Sequence, residues 1–63
     1  MKTFMGYKVV LLFDPIQTHA IHGVHKSEVD NLKAALKEAG ATRFRKVQNR
    51  YLKDIVSLCF KLK

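Results

Sequence analysis

The chain has 63 residues, which is enough for one small domain and excludes a two-domain enzyme. Hydrophobic residues make up 48% of the chain, a proportion typical of folded proteins and too high for a chain that stays disordered. Twelve Lys and Arg residues against five Asp and Glu residues give a formal net charge of +7. This excess predicts polyanionic partners. Because so small a core gives only marginal stability, the chain is also a candidate for a homodimer or for docking onto a larger complex.

The cysteine content and the amino-terminal region indicate the compartment. Cys59 is the only cysteine, so the chain alone forms neither an internal disulfide nor a zinc site made of several thiolates. A membrane-spanning helix needs about 20 apolar residues, and the uninterrupted apolar run at residues 9–13 is far shorter. Lys8 interrupts the apolar stretch and no small-residue cleavage site follows, so no signal peptide is predicted. We expect a cytoplasmic protein with no membrane partner and no cofactor.

The first predicted element is a β-strand at residues 7–13. These residues are β-branched, aromatic or aliphatic on both pleat faces except at Lys8, which predicts a strand that is covered on both sides. Asp14 and Pro15 end it, because proline lacks the amide that the next ladder hydrogen bond would need. Residues 14–26 follow neither the helical nor the strand period. They predict a long connection with at most a short, irregular extended piece.

A helix is predicted over residues 28–39. Ser27 occupies the N-cap position, Asp30 stands where a capping-box acid belongs, and Gly40 is placed to end the helix. The apolar residues between them recur at helical spacing and define one face: Val29, Leu32, Ala35, Leu36 and Ala39. The pattern is typical of an amphipathic helix that packs one side against a core.

Residues 42–63 fit two interpretations. As strands, Val56, Leu58, Phe60 and Leu62 alternate with polar or small residues, after a strand near 43–48. As a helix, the segment also has one apolar face: Phe44, Val47, Tyr51, Ile55, Leu58 and Leu62. Strands are favoured because several residues from Ile55 to Phe60 are poor helix formers and because the strand at 7–13 needs neighbours.

The strand interpretation predicts one α+β domain over residues 1–63. Its element order is β-α-β-β, which is half of a ferredoxin-like fold, with the helix on one face of a three-stranded sheet and a right-handed parallel crossover. The helical interpretation gives the order β-α-α. That order and the junction Gly40-Ala41-Thr42-Arg43 resemble the ribbon-helix-helix repressors.

The basic segment, residues 43–63, contains seven basic residues and one acid, a net charge of +6, whereas residues 1–42 have a net charge of +1. Clustered cations favour phosphate backbones because each neutralised phosphate releases counterions, and nearby aromatic rings can stack on unpaired bases. We therefore predict a non-enzymatic nucleic-acid-binding protein that acts as an accessory or assembly subunit. RNA is slightly preferred over DNA because the favoured fold lacks a recognition helix. The predicted contact residues are Arg43, Arg45, Lys46, Arg50, Tyr51 and Lys53.

An alternative prediction is a protein-protein interaction module or inhibitor that binds an acidic surface or a sheet edge of a larger protein. Basic surfaces suit acidic protein surfaces as well as nucleic acids. An exposed edge strand such as 55–62 would suit strand addition, in which main-chain hydrogen bonds join a guest strand to a sheet.

Two further residue groups are weaker candidates for a site. His19, His22 and His25 form H-x-x-H-x-x-H, and imidazoles are common metal ligands, although polar loop histidines are the simpler interpretation. The run VVLLFD, a helix that ends in EAG and the stretch TRFRKVQN resemble two small ferredoxin-fold families, the CRISPR adaptation nucleases and the VapD toxins. That resemblance implies a role for Asp14 in metal-dependent RNA cleavage at a dimer interface. The residues themselves favour a turn aspartate and no catalytic residue.

Overall fold

Five antiparallel strands and one helix make up this α+β protein, whose computed structural model describes residues 2–62. The helix is α1 (Val29–Glu38), preceded by a short 3-10 turn, and the strands are β1 (Thr3–Phe4), β2 (Tyr7–Leu11), β3 (His19–His25), β4 (Thr42–Gln48) and β5 (Ile55–Lys61). Their order across the sheet is β1-β2-β3-β5-β4, and every neighbouring pair is antiparallel. As a result, β5 lies inside the sheet and β4 forms one of its edges.

The core lies between α1 and one face of the sheet. Strand β5 buries Val56, Leu58 and Phe60 on this face, while the residues between them are only half-buried. From the helix, Leu32 and Leu36 complete the same cluster. We call this side of the sheet the helix face and the other side the open face, because no helix among residues 2–62 covers it.

The strand interpretation of the carboxyl-terminal third is confirmed, since β4 and β5 occupy residues 42–48 and 55–61. The helical interpretation, and with it the β-α-α order, is wrong. The alternation in residues 56–60 buries every second side chain of a strand inside the sheet, which requires neighbours on both sides. A second consequence is that residues 55–62 are not an exposed edge strand.

The prediction of a three-stranded sheet is wrong because residues 14–26 contain strand β3. In β3 the register shifts between Ile21 and Val24, and Gly23 has a φ of +73°. This β-bulge breaks the period of two and hides the strand from a pattern search. Strand β3 pairs with both β2 and β5, and the two-residue β1 pairs with β2, so the sheet has five strands and no parallel pair. Strand β2 is also not buried on both faces, since Lys8 and Leu11 are exposed.

The predicted helix is confirmed, but its predicted N-cap is not. A 3-10 turn at Lys26–Glu28 precedes α1, and Glu28 occupies the N-cap position without a side-chain hydrogen bond. His25 caps the 3-10 turn instead, since its imidazole accepts a hydrogen bond from the Ser27 amide at 3.2 Å. The extra turn therefore shifts the start of the α-helix beyond Ser27.

Candidate nucleic-acid interface

Strand β4 carries the first three predicted contact residues on the outer edge of the sheet. All of its residues are exposed except the half-buried Phe44. Its register pairs Arg45 with Cys59 and Lys46 with Leu58. Since Leu58 points into the core and successive strand residues point to opposite faces, Lys46 lies on the helix face and Arg45 on the open face. Cations therefore flank both sides of this edge.

The start of β4 is tied to the loop between β2 and β3. Arg43 has a φ of +53° and lies where the register of β4 against β5 shifts, between Thr42 and Arg45. Its carbonyl oxygen accepts a hydrogen bond from Gln17 Nε2 at 3.0 Å. This bulge and its cationic neighbours are typical of an edge strand that avoids pairing with further strands of its own kind.

The other three predicted contact residues, Arg50, Tyr51 and Lys53, lie in the turn between β4 and β5. Asn49 Oδ1 accepts hydrogen bonds from the amides of Tyr51 at 2.7 Å and Leu52 at 2.9 Å, which orders the turn. Tyr51 is 86% exposed, so both faces of its ring are accessible. An exposed aromatic ring on an ordered turn among cations is suited to stacking on an unpaired base.

The backbone of β4 also offers hydrogen-bonding groups at this edge. The Asn49 amide donates to the Ile55 carbonyl oxygen at 3.0 Å, which sets the alternation of the antiparallel ladder. Every second residue back from Asn49 therefore has its amide and carbonyl directed at β5, which applies to Val47 and Arg45. The amides and carbonyls of Lys46 and Gln48 face outward. Among residues 2–62 no strand pairs with this outer edge.

Two lysines of α1 reach the same region and were not predicted from sequence. The ammonium groups of Lys33 and Lys37 lie 5.5 Å and 6.0 Å from the centroid of the Phe44 ring. In the sequence they are ordinary polar residues of an amphipathic helix. Their spacing of four shows that they share a helix face, but only the tertiary structure brings that face to β4.

The cations of this hairpin have few acidic neighbours. One direct ion pair forms within residues 2–62, between Lys26 Nζ and Asp54 Oδ1 at 3.0 Å. Asp54 is the only acid of the hairpin, so Lys26 offsets the one negative charge there. The hydrogen bond from Lys26 and the charge of its ammonium group lower the pKa of Asp54.

Asp14 is an exposed turn residue. Its Oδ1 accepts hydrogen bonds from the amides of Ile16 at 2.7 Å and Gln17 at 3.0 Å. The bonds from Gln17 and Ile16 lower the pKa of Asp14, and the nearby charge of Arg45 adds to this effect. These contacts account for Asp14 as a turn aspartate.

Cys59 lies on β5, where its thiol is half-buried. Burial raises the pKa of this thiol.

The three histidines are separated along β3. Each Nδ1 shares a 2.7 Å hydrogen bond with a hydroxyl group: His19 with Thr18, His22 with Ser57 and His25 with Ser27. His19 also stacks on Phe60, with ring centroids 5.9 Å apart. Within residues 2–62, no group of three or more His, Cys, Asp or Glu side chains is arranged to hold a metal ion.

Comparison with known proteins finds no match to this chain among family models, curated proteins or solved structures. No helix in the described part of the chain is long and apolar enough to cross a membrane. Residues 2–62 form no pocket, so the candidate site is an open surface along β4 and its turn.

Proposed function

We propose that this protein is a small, non-enzymatic nucleic-acid-binding protein that binds single-stranded RNA in preference to DNA, as an accessory or assembly subunit. The observation that carries the proposal is the β4–β5 hairpin. Five cations and an exposed tyrosine lie on one edge strand and its turn, and the only acid there is paired with Lys26. The contact residues are Arg43, Arg45, Lys46, Arg50, Tyr51 and Lys53.

Phosphate contacts supply most of the binding free energy in this proposal. Each cation that neutralises a phosphate releases condensed counterions, so binding weakens as salt rises. Arg45 and Lys46 point to opposite faces, which suits a strand that crosses or follows the edge of β4. Tyr51 stacks on a base at the end of the hairpin, and this requires an unpaired base. Stacking therefore favours single strands over duplexes, and the preference for RNA over DNA rests on the contact residues lying on a sheet edge and its turn and not on a helix suited to the major groove.

The test measures binding of labelled single-stranded RNA, single-stranded DNA and duplex DNA across a salt series. The slope of log K against log salt is negative. We expect the variant Arg43→Ala/Arg45→Ala/Lys46→Ala to make it shallower by about 2, at about 0.7 per lost single-strand phosphate contact. Circular dichroism confirms that the variant is folded. The control Lys2→Ala/Lys8→Ala removes two exposed cations near the edge of the sheet opposite β4. For each charge removed, it should change the slope less than the triple variant does.

Tyr51 is examined in the same assay. Tyr51→Ala should weaken binding to single-stranded RNA by about 1–3 kcal/mol at every salt concentration, while Tyr51→Phe retains the ring and most of the affinity. If the triple variant keeps both the affinity and the salt slope of the parent, β4 is not the contact surface and the proposal fails.

A second candidate function is supported by the free outer edge of β4. The outward amides and carbonyls of Lys46 and Gln48 are suited to an acidic, extended segment of another protein. This role belongs to β4 because β5 lies inside the sheet. A protein partner bound in this way stays attached through nuclease treatment and protects the Lys46 and Gln48 amides from hydrogen exchange. Nucleic acid is removed by nuclease or by high salt.

A further inference from the structure

The two helix lysines form an unusual concentration of positive charge. Lys33 and Lys37 are one helical turn apart, a spacing at which like charges destabilise a helix. Both ammonium groups nevertheless lie over one ring, that of Phe44, at 5.5 Å and 6.0 Å from its centroid. Attraction to the ring offsets part of the repulsion. Neither lysine forms a direct ion pair with a carboxylate among residues 2–62.

A third cation belongs to the same surface. Phe44 and Lys46 are two residues apart on β4 and therefore share the helix face. The half-buried Phe44 ring packs against Phe60, with centroids 6.3 Å apart, so the ring under the lysines is anchored in the core. Two ammonium groups thus lie at the junction between α1 and β4, and Lys46 lies two residues further along β4 on the same face of the sheet. A phosphate group, which accepts charge-assisted hydrogen bonds from several donors, is the chemical group that this junction fits.

We propose that Lys33, Lys37 and Lys46 form a second phosphate-binding site, on the helix face of β4, for the sugar-phosphate backbone of the same nucleic acid. The inference rests on the proposed function and extends its contact surface from Lys46 to two helix residues outside the basic segment, Lys33 and Lys37. The site is open and has no pocket, which suits a polymer held at many phosphates better than a small anion enclosed by the protein. One strand that crosses the edge of β4 contacts Arg45 on the open face and these three lysines on the helix face.

The experiment compares Lys33→Gln/Lys37→Gln with the parent in single-stranded RNA binding across the salt series. Glutamine retains much of the side-chain length and a helix propensity close to that of lysine. We expect the slope of log K against log salt to become shallower by about 1.4. If the affinities of variant and parent become equal at about 1 M salt, the variant then binds about 25-fold more weakly at about 0.1 M salt. Lys33→Arg/Lys37→Arg keeps both charges and should retain most of the affinity.

The matched control is Lys2→Gln/Lys8→Gln, which removes the same charge from the residue before β1 and from β2, near the edge of the sheet opposite β4. An equal loss of slope in this control would overturn the site, because the effect would then come from net charge alone. An unchanged slope in Lys33→Gln/Lys37→Gln would also overturn it. If the Arg43/Arg45/Lys46 variant still loses binding, the proposed function stands without this site. If neither variant loses binding, the proposed function fails as well.

A titration with inorganic phosphate distinguishes the source of the phosphate group. It is followed by the NMR signals of the Lys33 and Lys37 side chains and of the Phe44 ring. We expect these signals to move with a short RNA at micromolar concentration and not with inorganic phosphate at the same concentration. Equal shifts with inorganic phosphate would overturn the assignment to a nucleic-acid backbone.

Discussion

Asp14 and Asn49 form the same local structure near the two ends of β4. In each case a side-chain oxygen accepts hydrogen bonds from the amides two and three residues later. Short polar side chains of this type favour turns for that reason, so the role of Asp14 was predictable from the residue and its neighbour Pro15. What the sequence did not show is that Gln17, in the Asp14 turn, bonds to Arg43 and joins that loop to the basic edge.

The lowered pKa values of Asp14 and Asp54 make stability depend on pH. A carboxylate whose pKa is lower in the folded state stabilises the fold above its unfolded-state pKa, and this contribution is lost as the pH falls through the folded-state pKa. We therefore expect the urea midpoint of the parent to fall between about pH 5 and pH 2. Asp14→Asn keeps an acceptor oxygen but does not titrate, so its midpoint should fall less. An equal fall in both proteins would contradict this role of Asp14.

At the scale of elements, the end of α1 follows from its sequence. The Ala41 amide donates to the Leu36 carbonyl oxygen at 2.9 Å and the Gly40 amide to that of Lys37 at 3.1 Å, which is a Schellman motif. Gly40 has a φ of +96°, a conformation that glycine adopts without a Cβ penalty. The predicted helix-ending glycine is therefore confirmed.

Replacement of Gly40 by alanine should destabilise the protein through the backbone alone. No atom lies within 4 Å of a Cβ placed at this position, so the substitution meets no steric clash. The strained backbone should cost about 1–2 kcal/mol of unfolding free energy, measured by urea denaturation. Gly40→Asn should cost less because asparagine tolerates left-handed conformations. An alanine variant as stable as the parent would show that this turn relaxes.

Strand β3 shows where pattern analysis fails at this scale. Ala20, Ile21 and Val24 are fully buried, but the bulge places two residues, His22 and Gly23, between the buried positions Ile21 and Val24. The alternation therefore changes phase within seven residues, and three histidines make the stretch look polar. The bulge arises in the pairing of β3 with β5, a strand that follows much later in the sequence.

For the whole molecule, Phe60 is the centre of the core. It is fully buried, stacks on His19 and packs against Phe44. Phe60→Ala should cost about 3–5 kcal/mol, which is similar to the entire stability expected of so small a domain. We expect this variant to be largely unfolded by far-UV circular dichroism and Phe60→Leu to remain folded with a lower melting temperature. A cooperative, parent-like transition in Phe60→Ala would contradict this assignment.

Charge and exposure also bear on self-association. Antiparallel pairing of two β4 edges would bring the cations of both copies, Arg43, Arg45 and Lys46, close together, which is destabilising. The homodimer stays a prediction, and a candidate surface for it is the exposed apolar group at the end of β2 and in the loop that follows: Leu11, Phe13 and Ile16.

The sequence by itself determined the helix and its Gly40 ending, the alternation of β5, the Asp14 turn and the concentration of charge after residue 42. These features depend on residues a few positions apart, whose spacing sets periodicity and local hydrogen bonds. Only the tertiary structure decided that β4 is an edge, that Arg45 and Lys46 lie on opposite faces and that Lys33 and Lys37 meet over Phe44. Strand order and sidedness arise from pairing between distant segments, and no local pattern encodes which segments pair.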